Sequence, residues 1–308
     1  LGRQMRAVLP KINREGRLKI VRGRHPLIDP EKVVPSDLWL GQDFTTLIIT
    51  GPNTGGKTVT LKTVGLFTLM AQAGLEVPAE LGTELAVFDH VYADIGDEQS
   101  IEQSLSTFSA HMANISSILT QITPNSLVLM DELGSGTDPV EGAALAIAII
   151  EQMQATGARI MCTTHYAELK LYALQTPDVE NASCEFDVAT LKPTYRLIIG
   201  IPGKSNAFAI ASMLGISEDI INNAKFHLDN ESVKVERVLA DLEISKKTAQ
   251  FDIERAEHIR QKAADELKKA REEREKILAD AEKDAQRSRQ KALDMIESAR
   301  REAQVVTD

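Results

Sequence analysis

The chain has 308 residues, enough for one large or two ordinary domains, and its one Trp, four Tyr and eight Phe predict a mainly aliphatic core. Its net charge of −10 excludes a uniformly basic surface for nucleic acid but leaves room for a local basic stripe. The two cysteines, Cys162 and Cys184, lack metal-ligand spacing, so we expect two buried thiols in a reducing compartment. The longest apolar stretch, residues 143–150, is too short to span a membrane, and the first residues form no signal peptide. We therefore expect a cytoplasmic protein without membrane contact and, because the chain begins with Leu1 instead of Met, a fragment.

The first predicted strand covers residues 18–21, and a second, residues 46–50, runs directly into a glycine-rich turn that opens a helix at Lys57. The turn has the spacing G-x-x-x-x-G-K-[ST] of a phosphate-binding loop, in the strand–loop–helix context that the motif requires. We expect backbone N–H groups to cradle phosphate oxygens, Lys57 to reach the β and γ phosphates, and the Thr58 hydroxyl to bind Mg²⁺. The alternative is a chance match in a turn, and the flanking strand and helix argue against it. The loop comprises Gly51, Pro52, Asn53, Thr54, Gly55, Gly56, Lys57 and Thr58.

Helix and strand signals alternate from this loop to residue 164. Predicted helices cover residues 57–73, 105–122 and 141–155, and predicted strands cover residues 126–130 and 159–164. The alternation predicts an α/β fold with a mostly parallel sheet and helices on its faces, in which catalytic groups gather at the carboxyl ends of the strands. The expected apolar side of the first helix comprises Leu61, Val64, Leu66, Leu69 and Met70.

Two acidic residues, Asp131 and Glu132, follow the apolar strand of residues 126–130. An apolar strand that ends in such a pair is typical of a Walker B motif, so we expect Asp131 to hold Mg²⁺ and Glu132 to orient or deprotonate the attacking water. His165 follows the next strand, where it can sense or stabilise the γ-phosphate. The alternatives are a solvated strand end and a structural histidine.

Gln99, Ser104 and Ser106 lie between the two motifs, ahead of a predicted helix. A glutamine loop followed by a serine at a helix N-terminus is the layout of ABC-class ATPases, in which that helix end grips the γ-phosphate bound by a second subunit. An ordinary helix cap is the alternative, because serine is favoured there in any protein. Residues 134–138, Gly-Ser-Gly-Thr-Asp, fit the loop that crosses the dimer interface in this class, although alone they indicate only a turn.

The composition changes after Gly215, because residues 216–308 contain neither glycine nor proline and are rich in good helix formers. A seven-residue repeat in this tail predicts a coiled-coil seam. The alternative is a solvated single helix that is partly disordered in isolation. Basic clusters in the tail have acidic neighbours, which favours a solvated face over a phosphate-binding stripe. The seam comprises Val235, Leu242, Ala249, Ala256, Ala263, Ala270 and Ile277.

Four segments together resemble the ATPase domain of the MutS family. They are residues 51–58, the Ser-Thr-Phe of residues 106–108, the Asp-Glu-Leu-Gly-Ser-Gly-Thr of residues 131–137 and the Thr-Thr-His-Tyr of residues 163–166. The Arg-His-Pro-Leu of residues 24–27 resembles the lead-in to that domain, and residues 201–208 resemble the start of its helical dimerisation element. The resemblance covers about residues 15–226. The sequence of residues 59–65 and the charged helix after residue 230 are similar to the second bacterial MutS branch. That branch lacks the mismatch-reading domain and carries an Smr nuclease domain.

The resemblance implies a P-loop ATPase domain of the ABC/MutS type over residues 1–200, a helical dimerisation element over residues 201–230 and a charged coiled coil over residues 231–308. It implies ATP and Mg²⁺ as ligands, with Thr58 and Asp131 at the metal, Glu132, His165 and Lys57 as catalytic residues, and Ser106 acting on the nucleotide of a partner subunit. Val33 and Val34 are implied to flank the adenine, with Tyr195. The residues implied to hold the phosphates are Asn53, Gly55, Gly56, Lys57, Thr58 and Val59.

The function that the resemblance implies is ATP hydrolysis by a homodimer that binds branched DNA and restrains homologous recombination. A second reading is a motor that splits stalled ribosomes, and a third is a scaffold in which ATP is a switch. A transporter ATPase is disfavoured because the Leu-Ser-Gly-Gly-Gln signature is absent. The chain shows no lever or clamp helices, no Phe-x-Glu mismatch reader and no Smr domain, so we expect most of the DNA grip and any nuclease activity to lie outside it.

Overall fold

The chain divides into two units, Leu1–Lys246 and Lys247–Asp308. The computed structural model describes residues 2–52, 55–96, 107–187, 192–203 and 207–227, together with scattered positions between 245 and 296. In the second unit, each residue that the structure describes is helical and exposed, including Ala256, Ala263 and Ala270 of the predicted seam. The other seam residues lie outside the described residues.

Two sheets organise the first unit, and they confirm a mixed α/β fold with a largely parallel sheet. The larger sheet has the strand order β10-β9-β4-β8-β7-β6 and is parallel except for the β9–β10 pair, and the smaller has the order β1-β5-β2-β3. The strands are β1 (Lys11–Asn13), β2 (Leu18–Gly23), β3 (Ser36–Leu40), β4 (Thr46–Thr50), β5 (Glu84–Ala86), β6 (His90–Asp94), β7 (Ser126–Met130), β8 (Arg159–Thr163), β9 (Val179–Asp187) and β10 (Lys192–Ile199). The helices are α1 (Gly2–Met5), α2 (Lys57–Gln72), α3 (Thr107–Gln121), α4 (Pro139–Gln154), α5 (Ala167–Gln175), α6 (Ala207–Met213) and α7 (Glu218–Phe226).

The central strands of the larger sheet are buried on both faces. Every residue of β4 and of β7 is buried, which explains their continuous apolar sequences, because a parallel sheet is covered by helices on both sides. Leu61, Val64 and Phe67 of α2 belong to the core on one side of the sheet. Ile118 of α3 and Ile150 of α4 belong to the core on the other side.

The buried face of α2 differs from the predicted apolar side. Leu69 is 52% exposed, so its predicted burial is wrong, whereas Phe67 is fully buried. The buried positions Lys57, Leu61 and Val64 recur at helical spacing and continue through Thr68 and Ala71. Leu69 does not fall on this face and lies on the outer side of the helix.

Helix α4 begins two residues earlier than predicted. The Asp138 carboxylate accepts the backbone N–H groups of Val140, at 3.0 Å, and Glu141, at 3.2 Å. Pro139 occupies the first helical turn, where its missing N–H costs nothing. The residues Asp138 and Pro139 thus form a complete helix start, and the segment 134–138 ends in a cap instead of continuing as a free turn.

Both cysteines are buried and unpaired, as expected. Burial raises the pKa of each thiol, Cys162 and Cys184, to about 12, so neither is a reactive thiolate. Within the part of the chain that the structure describes, no helix combines the length and the apolar character needed to cross a membrane.

A close backbone approach between α4 and the preceding loop makes Gly142 sensitive to substitution. A Cβ atom at Gly142 would collide with the Gly134 carbonyl oxygen and with the Tyr166 hydroxyl. We expect Gly142→Ala to lower the free energy of unfolding by about 1–3 kcal/mol, because a backbone atom must move. Alanine in place of glycine usually stabilises a helix interior by about 1 kcal/mol. A loss of stability in Gly142→Ala would therefore indicate the steric collision. Urea denaturation measures the change.

Gly65→Ala in α2 is the matched control. Its Cβ would meet only a terminal methyl of Leu129, which can rotate away, so we expect a change within about 1 kcal/mol of the wild type. Equal losses of stability in the two variants would contradict the close approach at Gly142.

Candidate functional site

The carboxyl ends of three parallel strands lie side by side. Residue pairing between β4 and β8 reaches Ile49 and Thr163, and pairing between β8 and β7 reaches Cys162 and Met130. The segments that leave these strands therefore begin at one edge of the sheet. This edge brings together the predicted phosphate loop after β4, Asp131 and Glu132 after β7, and His165 after β8.

The phosphate loop delivers Lys57 and an uncapped helix start. Gly56 precedes α2 in the left-handed conformation, with φ 95°, and makes no side-chain cap hydrogen bond. Lys57 is only 2% exposed, and its Nζ donates to the Gly51 carbonyl oxygen at 2.7 Å. Burial lowers the pKa of the Lys57 ammonium, while the negative charges of Glu132 and Asp131 act in the opposite direction. A buried cation beside the amino end of a helix fits an anionic group such as a phosphate.

Thr58 and Asp131 form a pair of oxygen donors. The Thr58 hydroxyl donates to Asp131 Oδ2 at 2.6 Å. Hydroxyl and carboxylate oxygens are ligands that Mg²⁺ accepts, with phosphate oxygens and water completing its octahedron. Among the described residues, no group of three or more His, Cys, Asp or Glu side chains could hold a metal ion. A magnesium ion at this pair would therefore be shared with the phosphates.

His165 lies between a cation and an acid. Its Nε2 is 3.2 Å from Lys57 Nζ and 3.3 Å from Glu132 Oε1. In a neutral imidazole, one ring nitrogen either accepts from the ammonium or donates to the carboxylate, so Nε2 can serve only one of these neighbours at a time. The side chains of His165 and Glu132 are 44% and 42% exposed, so water reaches Glu132 whereas Lys57 is enclosed.

A cavity of about 390 Å³ lies beside the start of α2. Val33, Val34 and Tyr195, which the resemblance implies to flank the adenine, line this cavity together with Gly56 and Val59. An aliphatic cavity with one aromatic wall suits a planar base. The remaining lining residues are Ile20, Gly23, His25, Ile28, Lys32, Ser36, Leu38, Thr60, Thr63 and Val64.

Tyr195 is held against the loop by its backbone. Its φ of 59° lies in the left-handed region, and its carbonyl oxygen accepts the Ser36 hydroxyl at 3.2 Å. The ring approaches Gly56 so closely that a Cβ there would lie 3.2 Å from Tyr195 Cδ1. The loop thus needs glycine at residue 56 for its conformation and for the contact with this ring.

Sequence reasoning missed a polar cluster next to the site. The Asp94 carboxylate lies 2.8 Å from His111 Nδ1 and accepts from Asn114 Nδ2 at 2.9 Å, which ties α3 to the end of β6. The carbonyl oxygen of Asp94 accepts the backbone N–H of Asp131 at 2.8 Å. Charged residues at the carboxyl end of a neighbouring strand were the signal that could have indicated this link.

Some predicted site residues lie outside the described residues: Asn53, Thr54, Gln99, Ser104 and Ser106. Of the rest of the loop, Gly55 donates its N–H to the Pro52 carbonyl oxygen at 3.0 Å, which closes the turn ahead of α2.

The family model described as MutS domain V matches residues 47–231. The chain belongs to the MutS family. Domain V is the ATPase domain of MutS proteins, and the match runs from β4 through α7. The residues gathered at the edge of the sheet, from Lys57 to His165, all fall inside it.

Curated relatives carry the name endonuclease MutS2. The chain is 62% identical over 240 residues to the protein of Caldanaerobacter subterraneus subsp. tengcongensis, an alignment that covers 78% of this chain and 30% of that protein. It is 52% identical over 294 residues to the protein of Alkaliphilus metalliredigens, covering 93% of this chain and 37% of the relative. For Geobacillus kaustophilus the identity is 55% over 306 residues, covering 90% and 39%. The chain thus spans about a third of the length of these relatives.

Because Tyr195 lines the cavity beside α2, we predict that removing its ring weakens binding of the adenine base and not of the phosphates. We expect Tyr195→Ala to weaken binding of ATP about tenfold, because stacking on an aromatic ring contributes about 1–3 kcal/mol per base. Competition against a fluorescent ATP analogue measures the affinity.

Tripolyphosphate, which has no base, is the control ligand, and we expect Tyr195→Ala to leave its affinity unchanged. Tyr195→Phe keeps the ring and is expected to bind ATP as the wild type does. Equal losses for ATP and tripolyphosphate would show that Tyr195 supports the phosphate loop and not the base.

Proposed function

We propose that this chain is the motor part of a dimeric MutS-family ATPase that hydrolyses ATP with Mg²⁺ and couples hydrolysis to the binding of DNA. The observation that carries the proposal is the contact of Thr58 with Asp131, 2.6 Å apart, beside the buried Lys57. These side chains come from separate segments of the chain and converge only in the fold.

The phosphate loop holds the triphosphate in this proposal. The first-turn N–H groups of α2 and the Lys57 ammonium bind phosphate oxygens. Lys57 gives up its hydrogen bond to the Gly51 carbonyl and donates to the phosphate instead. Negative phosphates would favour the charged form of Lys57, whose pKa burial lowers. The base enters the cavity lined by Val33, Val34 and Tyr195.

Hydrolysis requires the two acids to act differently. Asp131 and Thr58 would hold Mg²⁺, which would neutralise charge on the phosphate oxygens. The Glu132 side chain is 42% exposed and carries the carboxylate that orients the attacking water or takes its proton. His165, whose Nε2 is 3.3 Å from Glu132 Oε1 and 3.2 Å from Lys57 Nζ, would hydrogen-bond one of these side chains at a time and so help to orient them for the γ-phosphate.

We propose that two copies complete the site. Ser106 lies ahead of α3 and would reach the nucleotide of the partner subunit, with residues 134–138 at the interface. The helices α6 and α7 support dimerisation, because apolar side chains on and next to them are exposed, with Leu214 81% and Phe226 85% accessible. Residues 201–230 would then be the dimerisation element, and residues 231–308 a coiled coil.

The proposed load is branched DNA in the intact protein, where the motor would restrain recombination. Support comes from the MutS family membership and from relatives that are named endonucleases. In this proposal the nuclease belongs to parts of those proteins that the chain does not span. A ribosome is the alternative load, and no feature of the described residues favours it.

We expect Glu132→Gln to bind ATP with near-normal affinity and to hydrolyse it at least about 100-fold more slowly, because the amide cannot take a proton from water. The ATP-bound form should accumulate as a dimer. Phosphate release measures turnover, and light scattering measures the mass with and without ATP.

Lys57→Ala separates binding from chemistry. This variant removes the ammonium that contacts the phosphates, and we expect ATP binding itself to be lost. Wild-type turnover in Glu132→Gln would contradict the role of Glu132 in activating water. Retained ATP affinity in Lys57→Ala would contradict the role of Lys57 in binding the phosphates.

Whether the proposed motor acts on DNA or on ribosomes is tested by identifying what the full-length Glu132→Gln protein captures in the presence of ATP. Lys57→Ala is the matched control. We expect ATP-dependent enrichment of DNA by Glu132→Gln and not by Lys57→Ala. Enrichment of ribosomal subunits over DNA would replace the DNA proposal with the ribosome.

A further inference from the structure

The hydroxyl of Thr163 contacts both acidic residues of the site. Its oxygen donates to Asp131 Oδ1 at 2.5 Å and accepts the backbone N–H of Glu132 at 2.8 Å. Thr163 is fully buried at the end of β8, and its carbonyl oxygen accepts the N–H of Leu133 at 3.0 Å. A single residue of β8 therefore holds three successive residues that follow β7.

This contact sets the direction of the Asp131 carboxylate. Oδ1 is taken by Thr163, and Oδ2 accepts the hydroxyl of Thr58 at 2.6 Å. Because the two hydroxyls lie on different elements, β8 and α2, the carboxylate cannot rotate without losing one of them. Hydrogen bonds of this kind orient carboxylates that bind metals.

The same hydroxyl supports an unusual backbone at Glu132. The φ of Glu132 is 48°, a left-handed conformation that a residue with a Cβ rarely adopts. Such a conformation persists only where surrounding contacts hold it. The bond from the Glu132 N–H to Thr163 is one such contact, and the turn places Glu132 Oε1 3.3 Å from His165.

We propose that Thr163 is a positioning residue for ATP hydrolysis, whose one hydroxyl aligns the Asp131 carboxylate for the metal and the Glu132 backbone for the attacking water. The inference rests on the proposed ATPase function. It assigns a role to a residue that the phosphate loop and Walker B motifs do not include.

Thr164 offers a matched control on the same strand end. It is 1% exposed, and its hydroxyl accepts the N–H of Tyr166 at 3.2 Å without contacting Asp131 or Glu132. Thr163→Val and Thr164→Val each replace a buried hydroxyl by a methyl of similar size. Thr163→Ser keeps the hydroxyl, and Thr163→Ala is a second variant that lacks it.

In the full-length protein we expect Thr163→Val to lower kcat about 10–100-fold, with the KM for ATP changed by less than about threefold. Thr163→Ser should recover most of kcat, and Thr164→Val should stay within about threefold of the wild type. If Thr163→Val lowers kcat no more than Thr164→Val does, or if Thr163→Ser is as slow as Thr163→Val, the proposal is overturned.

Amide hydrogen exchange at Glu132 tests the positioning without turnover. We expect Thr163→Val and Thr163→Ala to speed this exchange about tenfold, and Thr163→Ser and Thr164→Val to leave it unchanged. Unchanged exchange in Thr163→Val would overturn the inference. If exchange responds as expected while the wild type hydrolyses no ATP, the proposed function fails and the positioning of the two acids by Thr163 stands.

Discussion

Backbone hydrogen bonds between β4, β8 and β7 are the constraint on which the site depends. Parallel pairing in this order sets the carboxyl ends of the three strands next to one another, so that Lys57, His165 and Asp131 meet although long stretches of chain separate them. A slip of one residue in the register would turn every side chain of the strand to the opposite face of the sheet. Complete burial of β4 and β7 opposes such a slip, because it would exchange the contacts on both faces.

The start of the phosphate loop also packs against Gly203, in the segment that follows β10. The Thr50 hydroxyl, fully buried at the end of β4, donates to the Ala182 carbonyl and accepts the backbone N–H of Gly203 at 2.7 Å. A Cβ at Gly203 would lie only 3.0 Å from the backbone nitrogen of Gly51, so this segment packs directly on the start of the loop. Movement of the loop would therefore disturb the packing at Gly203.

The polar contacts around the two acids form a chain and not a set of separate pairs. Thr58, Asp131, Thr163 and the Glu132 backbone are joined in sequence, and Asp94 supports Asp131 from the other neighbouring strand. Each group in this chain has its geometry limited by the next, which is the condition that catalysis by positioning requires.

Local patterns in the sequence were enough to predict the central elements of the larger sheet. A strand, a glycine-rich turn and a helix follow one another directly at residues 46–72, and the apolar strand before Asp131 is equally local. The link between Thr163 and Asp131 could not be predicted, because it depends on β8 pairing with β7 across an intervening helix.

The smaller sheet was mostly missed for a different reason. Strands β1 and β5 have three residues each, too few to show an alternating pattern. They pair with each other although three strands and helix α2 lie between them in the chain. The error at Leu69 has another origin, because the buried face of α2 includes the polar residues Lys57 and Thr68, which a pattern of apolar residues does not mark.

The central claim is that the residues joined at this sheet edge hydrolyse ATP with a magnesium ion. Phosphate release from ATP by the purified full-length protein tests it most directly, measured with Mg²⁺ and again with the metal removed by EDTA. We predict release that saturates with ATP and stops when Mg²⁺ is removed. Absence of release with Mg²⁺, or an equal rate in EDTA, would contradict the account.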